Sequence, residues 1–171
     1  MSPHKTRVID RALHWISAVA IVFLLFDIGF KVFTQDYRVK SVIEHKQDAI
    51  EVHLLVAFLL FAVLMMRIVW YRFFLDRKYW LAYESTKQKI LVRLAHFSMY
   101  CALALLVVSG VLMVFNYEHP LSIFGVVDLS TANIEPELFH RAYQWHLYLE
   151  GLIYCLILVH LFGVMYYRRY K

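Results

Sequence analysis

Four histidines stand in or at the edge of long apolar runs: His14, His53, His146 and His160. An imidazole in hydrocarbon is costly and needs a reason to be there. Neutral imidazole is the commonest protein ligand for metals, and two of them make the axial set of a six-coordinate haem iron. The spacing fits that chemistry. His146 and His160 are fourteen residues apart, close to four helical turns, so in a helix both rings point to nearly the same side at levels about 21 Å apart. Two ligands on one face at two depths point to two metal centres. A bis-imidazole iron leaves no position open for oxygen, so such centres favour electron transfer over oxygen binding. The two cysteines, Cys101 and Cys155, lie inside apolar runs, and neither belongs to a C-x-x-C-H attachment motif. Any haem would therefore be held by ligation and packing alone, which is b-type.

Other residues have the reach to assist. Arg67 follows His53 by fourteen residues, so a helix puts it on the same face at the opposite depth. Its guanidinium suits a haem propionate or a quinone carbonyl, or it snorkels to the membrane edge. His96 has three readings: an axial ligand competing at the inner iron, part of a quinone pocket, or a hydrogen-bond partner for a propionate. Arg93, a turn earlier, is closer to water. Asp27 and Lys31 are four apart and pair on one helix face, lowering the cost of both. Glu150, one turn after His146, is placed to hydrogen-bond near the outer centre or to accept a proton. His4, His45, His119 and His140 read as solvated or interfacial.

The elements that carry these residues follow from composition. Of 171 residues 61% are hydrophobic and 17% aromatic, beyond what a soluble domain carries and in keeping with aromatic belts at membrane interfaces. Four apolar spans are expected at about 12–33, 50–71, 90–115 and 143–167, each near the roughly 20 residues that cross a bilayer. Lipid forces them to be helices, so the fold class is all-α, a single integral membrane domain built as a four-helix bundle. No small-residue cleavage site follows the first run, which reads as a retained span. No internal repeat or low-complexity segment is present.

The net charge of +5 belongs to topology and not to nucleic-acid binding. Basic residues crowd the N-terminus (Lys5, Arg7, Arg11), the connection after the second span (Arg72, Arg77, Lys78, Lys87, Lys89) and the C-terminus (Arg168, Arg169, Lys171), whereas 117–140 holds no Lys or Arg. The positive-inside rule puts both termini in the cytoplasm. His53 and His146 then fall near the outer side, and His14, His96 and His160 near the inner side. By depth, the pairs are His53 with His146 and His14 with His160. The connection from Asn116 to His140 is long for a bundle and contains Leu121, Ile123, Phe124, Val126 and Val127. It reads as a segment on the outer membrane surface or a docking face.

With these residues in place, the chain resembles the bacterial cytochrome b561 family over essentially its whole length. The likeness lies in ALHW at Ala12–Trp15, EVHLLVAF leading on to Arg67, LAHFSMY at Leu94–Tyr100, and the paired histidines of QWHLYLEGLIYCLILVH. The resemblance implies an inner-membrane four-helix bundle with two b haems, ligated by His14 with His160 and by His53 with His146. It also implies exchange with the quinone pool near the cytoplasmic side, and either a periplasmic redox partner or, in some members, superoxide:ubiquinone oxidoreductase activity. A superoxide-capturing surface should be positive. Here the outer connections set Arg38, Lys40 and Lys46, with Arg141 at the interface, against Asp36, Glu44, Asp48, Glu51, Glu118, Asp128, Glu135 and Glu137. That surface suits a basic protein better. A reading of another class is a non-catalytic membrane subunit that anchors or assembles a larger complex; paired intramembrane histidines argue against it.

Overall fold

The computed structural model describes residues 3–34, 41–74, 86–118, 122–123, 127–128 and 134–169, with side-chain surroundings for 6–26, 49–74, 90–118 and 134–166. Four helices make up nearly all of it: α1 (Pro3–Thr34), α2 (Ser41–Phe73), α3 (Thr86–Phe115) and α4 (Pro136–Arg169). Each contains a segment long and apolar enough to span a membrane: Thr6–Phe26, Ala49–Phe73, Ile90–Phe115 and Pro136–Tyr166. Two of the three prolines mark helix starts. Pro3 and Pro136 open α1 and α4, where the missing N–H has no intrahelical partner to lose, and Pro120 lies between α3 and α4 in the sequence.

The chain forms two compact units. One contains α1 and α2, together with a two-stranded antiparallel pair, β1 (Ser122–Ile123) and β2 (Val127–Asp128); the other contains α3 and α4. In the strand pair Ser122 faces Asp128 and Ile123 faces Val127, and β1 packs on α2. Strands of two residues are too short to show an alternating pattern, so hydropathy gave no sign of them.

Packing inside each unit combines small side chains with a few branched aliphatic ones. Ser17, Ala49, Leu60 and Leu64 are buried in the first, and Ala102, Ser109, Ala142 and Ile153 in the second. Small residues let helix backbones approach closely where hydrocarbon supplies no hydrophobic drive for association. Many large apolar side chains point outwards: Phe58 and Phe97 are each 67% exposed. Such patches would aggregate in water but match lipid tails.

The helices run past the expected spans. α1 starts at Pro3 where the apolar run begins near Ala12, and α2 starts at Ser41, so Glu44, Lys46 and Asp48 are helical. α4 starts at Pro136 instead of Tyr143, which shortens the connection after α3. Hydropathy marks where lipid begins; helix ends answer to capping. Asn116 shows this. Its Nδ2 donates to the Leu112 carbonyl at 2.9 Å, and its Oδ1 accepts from the Glu135 N–H at 3.0 Å. Glu135 in turn accepts from the Phe139 N–H at 3.1 Å, the first turn of α4. One buried amide thus ties the end of α3 to the start of α4. Aromatic contacts continue the tie, with the Tyr117 ring 5.8 Å from Phe139 and Phe139 stacked on Tyr143 at 6.4 Å.

Two outcomes follow. Asn116→Ala strands the Glu135 N–H and should lower stability by about 1–3 kcal/mol, read as melting by circular dichroism in detergent; Asn116→Asp, which keeps the acceptor, should recover part of it. Burial, and then the negative charge of Glu118, hold the Tyr117 phenol above its ordinary 10.0. The fold therefore favours the neutral phenol, and that contribution is complete below the unfolded value and lost as pH rises through the folded one. Melting temperature should fall between about pH 9 and about pH 11, and Tyr117→Phe should remove part of that fall.

Candidate functional site

In the α1–α2 unit, Asp10 Oδ1 lies 3.9 Å from Arg67 Nε, with the two side chains 30% and 17% exposed. This ion pair sets one level common to both helices. His14 follows Asp10 by one turn and is half-buried, its ring edge-on to Trp15 at 6.0 Å. Ser17, three residues on, is buried and donates to the Leu13 carbonyl at 2.8 Å. His53 is also half-buried, fourteen residues before Arg67. At 1.5 Å per residue, His14 stands about 6 Å and His53 about 21 Å from the level of the ion pair. The two imidazoles of this hairpin therefore occupy different depths. One turn beyond Arg67, the indole Nε1 of Trp70 is buried and has no hydrogen-bond partner among the described residues. The Trp70 ring stacks on Phe74 at 4.7 Å.

The α3–α4 unit repeats the two-level plan. At one level, His146 Nδ1 is 2.8 Å from Ser109 Oγ. The ring also rests on Gly110, where an added Cβ would sit 3.6 Å from His146 Cε1. At the other level, His160 meets His96, the rings edge to face with centroids 5.0 Å apart. His96 Nδ1 donates to the Val92 carbonyl at 2.7 Å. A neutral His96 so bonded carries its lone pair on Nε2. The register explains both contacts. His96 and Ser109 are thirteen residues apart on α3 and His146 and His160 fourteen apart on α4, so antiparallel packing brings both pairs together at once.

The remaining candidates are distributed as follows. Glu150 is half-buried on α4 between the two histidine levels and is hydrogen-bonded to Tyr154. Arg93 is exposed on α3. His140 lies near the start of α4 and is exposed, as expected of a solvated or interfacial residue, with Gln144 Nε2 3.3 Å from its Nε2. His4, His45, His119, Asp27 and Lys31 fall outside the residues whose side chains are described. Arg67, read from sequence as a propionate or quinone ligand or a snorkelling residue, has Asp10 for a neighbour. Sequence reasoning missed three residues. Asp10 sits among basic residues that drew attention only as a topology signal. Ser109 and Gly110 look like ordinary small residues in an apolar run, and only their register opposite His146 distinguishes them.

Among the described residues no three His, Cys, Asp or Glu side chains gather into one group, whereas a structural zinc takes four such donors. Half-buried imidazoles at two levels of each hairpin are a donor set that fits haem. These features define a multi-pass helical membrane protein. The chain belongs to the prokaryotic cytochrome b561 family, whose family model matches residues 6–171. It is accordingly a b-type haem protein of membrane electron transfer. No curated protein and no solved structure matches it.

The partly shielded Asp10–Arg67 pair should be measurable. In a double-mutant cycle, Asp10→Asn and Arg67→Gln should show a coupling of about 0.5–1 kcal/mol in detergent unfolding, and strictly additive losses would mean that the two groups do not interact.

Proposed function

We propose that the chain holds two haem b groups and carries electrons across the bacterial inner membrane between a periplasmic redox partner and the quinone pool. The observation that carries this reading is the presence of imidazoles at two levels in each hairpin of a cytochrome b561 chain. The outer haem takes His53 and His146, and the inner haem His14 and His160. This pairing follows the depths that the basic residues assign when both termini lie in the cytoplasm. Each bound iron supplies one-electron exchange between Fe(III) and Fe(II).

The chain's own groups do the rest. The imidazoles orient and hold the iron, and the apolar helices exclude water and keep the local dielectric low. Arg67 supplies positive charge at the inner level, where a propionate or a quinone oxygen would be received. The buried Trp70 N–H, one turn away, adds a neutral donor of the same polarity. His96, edge to face with His160, would serve the inner level by hydrogen-bonding a propionate or lining a quinone pocket and not by holding the iron. The acidic outer connections favour a basic protein as the outer partner over a small anion.

The purified protein should contain two haems per chain by pyridine haemochrome assay. His53→Ala and His146→Ala should each remove the same component of the reduced-minus-oxidised spectrum. His14→Ala and His160→Ala should remove the other, and His96→Ala should leave both. A His146→Ala protein that retains both haems with unchanged spectra would overturn the assignment.

A further inference from the structure

We infer that Ser109 is a positioning residue for the outer haem: it holds the His146 imidazole as the Nδ1–H tautomer and thereby tunes the potential of the iron bound through Nε2. The inference rests on the reading of His146 as an axial ligand.

The direction of the hydrogen bonds carries it. Ser109 Oγ lies 3.0 Å from the Leu106 carbonyl. A carbonyl only accepts, so the hydroxyl proton is committed there. The hydroxyl oxygen then presents a lone pair to His146 Nδ1 at 2.8 Å, and a hydrogen bond at that distance requires the proton to be on Nδ1. Gly110 completes the seat: the ring lies over a backbone without a side chain, and a Cβ there would already be in contact with Cε1 and with Nδ1, at 3.6 and 3.9 Å. Tautomer and ring plane are both set from α3.

This device has an electronic effect. An acceptor on Nδ1–H makes Nε2 a stronger donor to the metal. A stronger axial donor favours Fe(III) and lowers the potential. A serine that merely returns its hydroxyl to its own helix, as serines in membrane helices commonly do, would have no such effect on the iron.

The test uses the full chain carrying its haems and three variants: Ser109→Ala, Ser109→Thr and His146→Ala. Ser109→Ala should keep two haems per chain. One midpoint potential should rise by an amount equivalent to a tenfold change in the Fe(III)/Fe(II) ratio at fixed poise, about 59 mV for one electron. The low-spin resonance of that haem should shift, and the other haem should not change. Ser109→Thr, which keeps the hydroxyl, should restore both readouts. Loss of the outer haem in Ser109→Ala with retention in Ser109→Thr would equally support a role for the hydroxyl. Unmoved potentials and resonance in Ser109→Ala, or a change that Ser109→Thr does not reverse, would overturn the inference, provided His146→Ala loses a haem. If His146→Ala keeps both haems, it is the ligand assignment that fails.

Discussion

Hydrocarbon offers no hydrogen bonds, and each polar group left unsatisfied in it costs several kcal/mol. That constraint acts twice on this chain. It forces the backbone of every span into helix, and it demands a partner for each imidazole the spans carry. The first demand is met within each helix. The second is met across helices at His146, which lies beside Ser109, and within its own helix at His96, whose Nδ1 reaches the Val92 carbonyl. A histidine that opened only onto lipid tails would gain nothing for its cost, and these are turned inward enough to be half-buried while neighbouring phenylalanines face out.

Close approach of the helices makes the second solution available. Ser109, Gly110 and Ala102 on α3 and Ala142 on α4 are small, so that α3 and α4 can bring ring and hydroxyl within hydrogen-bonding distance. The same economy of volume puts Ser17 and Ala49 inside the α1–α2 unit. Bulk is placed on the outside, where lipid accepts it without requiring a fitted surface. Within each unit the helix contacts therefore include small and polar side chains at chosen points, while many aromatic side chains face out.

Much of this was legible in the residues. Long apolar runs announced four helices because a span is a property of consecutive residues, and the interval from His146 to His160 announced a shared face because it is nearly a whole number of turns. Helix ends were less visible. The early start of α4 depends on Pro136, Glu135 and the reach of Asn116 from the preceding helix, none of which registers in hydropathy. Partners across helices were least visible. Arg67 stood out by its spacing from His53, but Asp10 belongs to a different helix far back in the chain. His96 could be placed at the depth of His160, yet its edge-to-face contact depends on the rotation of both helices. Ser109 became meaningful only when the antiparallel register set it opposite a particular ring.

That register also limits how such a hairpin can vary. An extra residue between His146 and His160 would swing everything beyond it by about 100° and move it along by 1.5 Å, parting His160 from His96 while Ser109 kept its hold on His146. The same applies to an insertion on α3 between His96 and Ser109. Side chains along these stretches are free to change wherever they meet only lipid, but the count of residues is not. Gains and losses of length have somewhere to go only in the segments that join the helices, so an alignment gap falling inside either interval would be a sign that one of the two contacts has been given up.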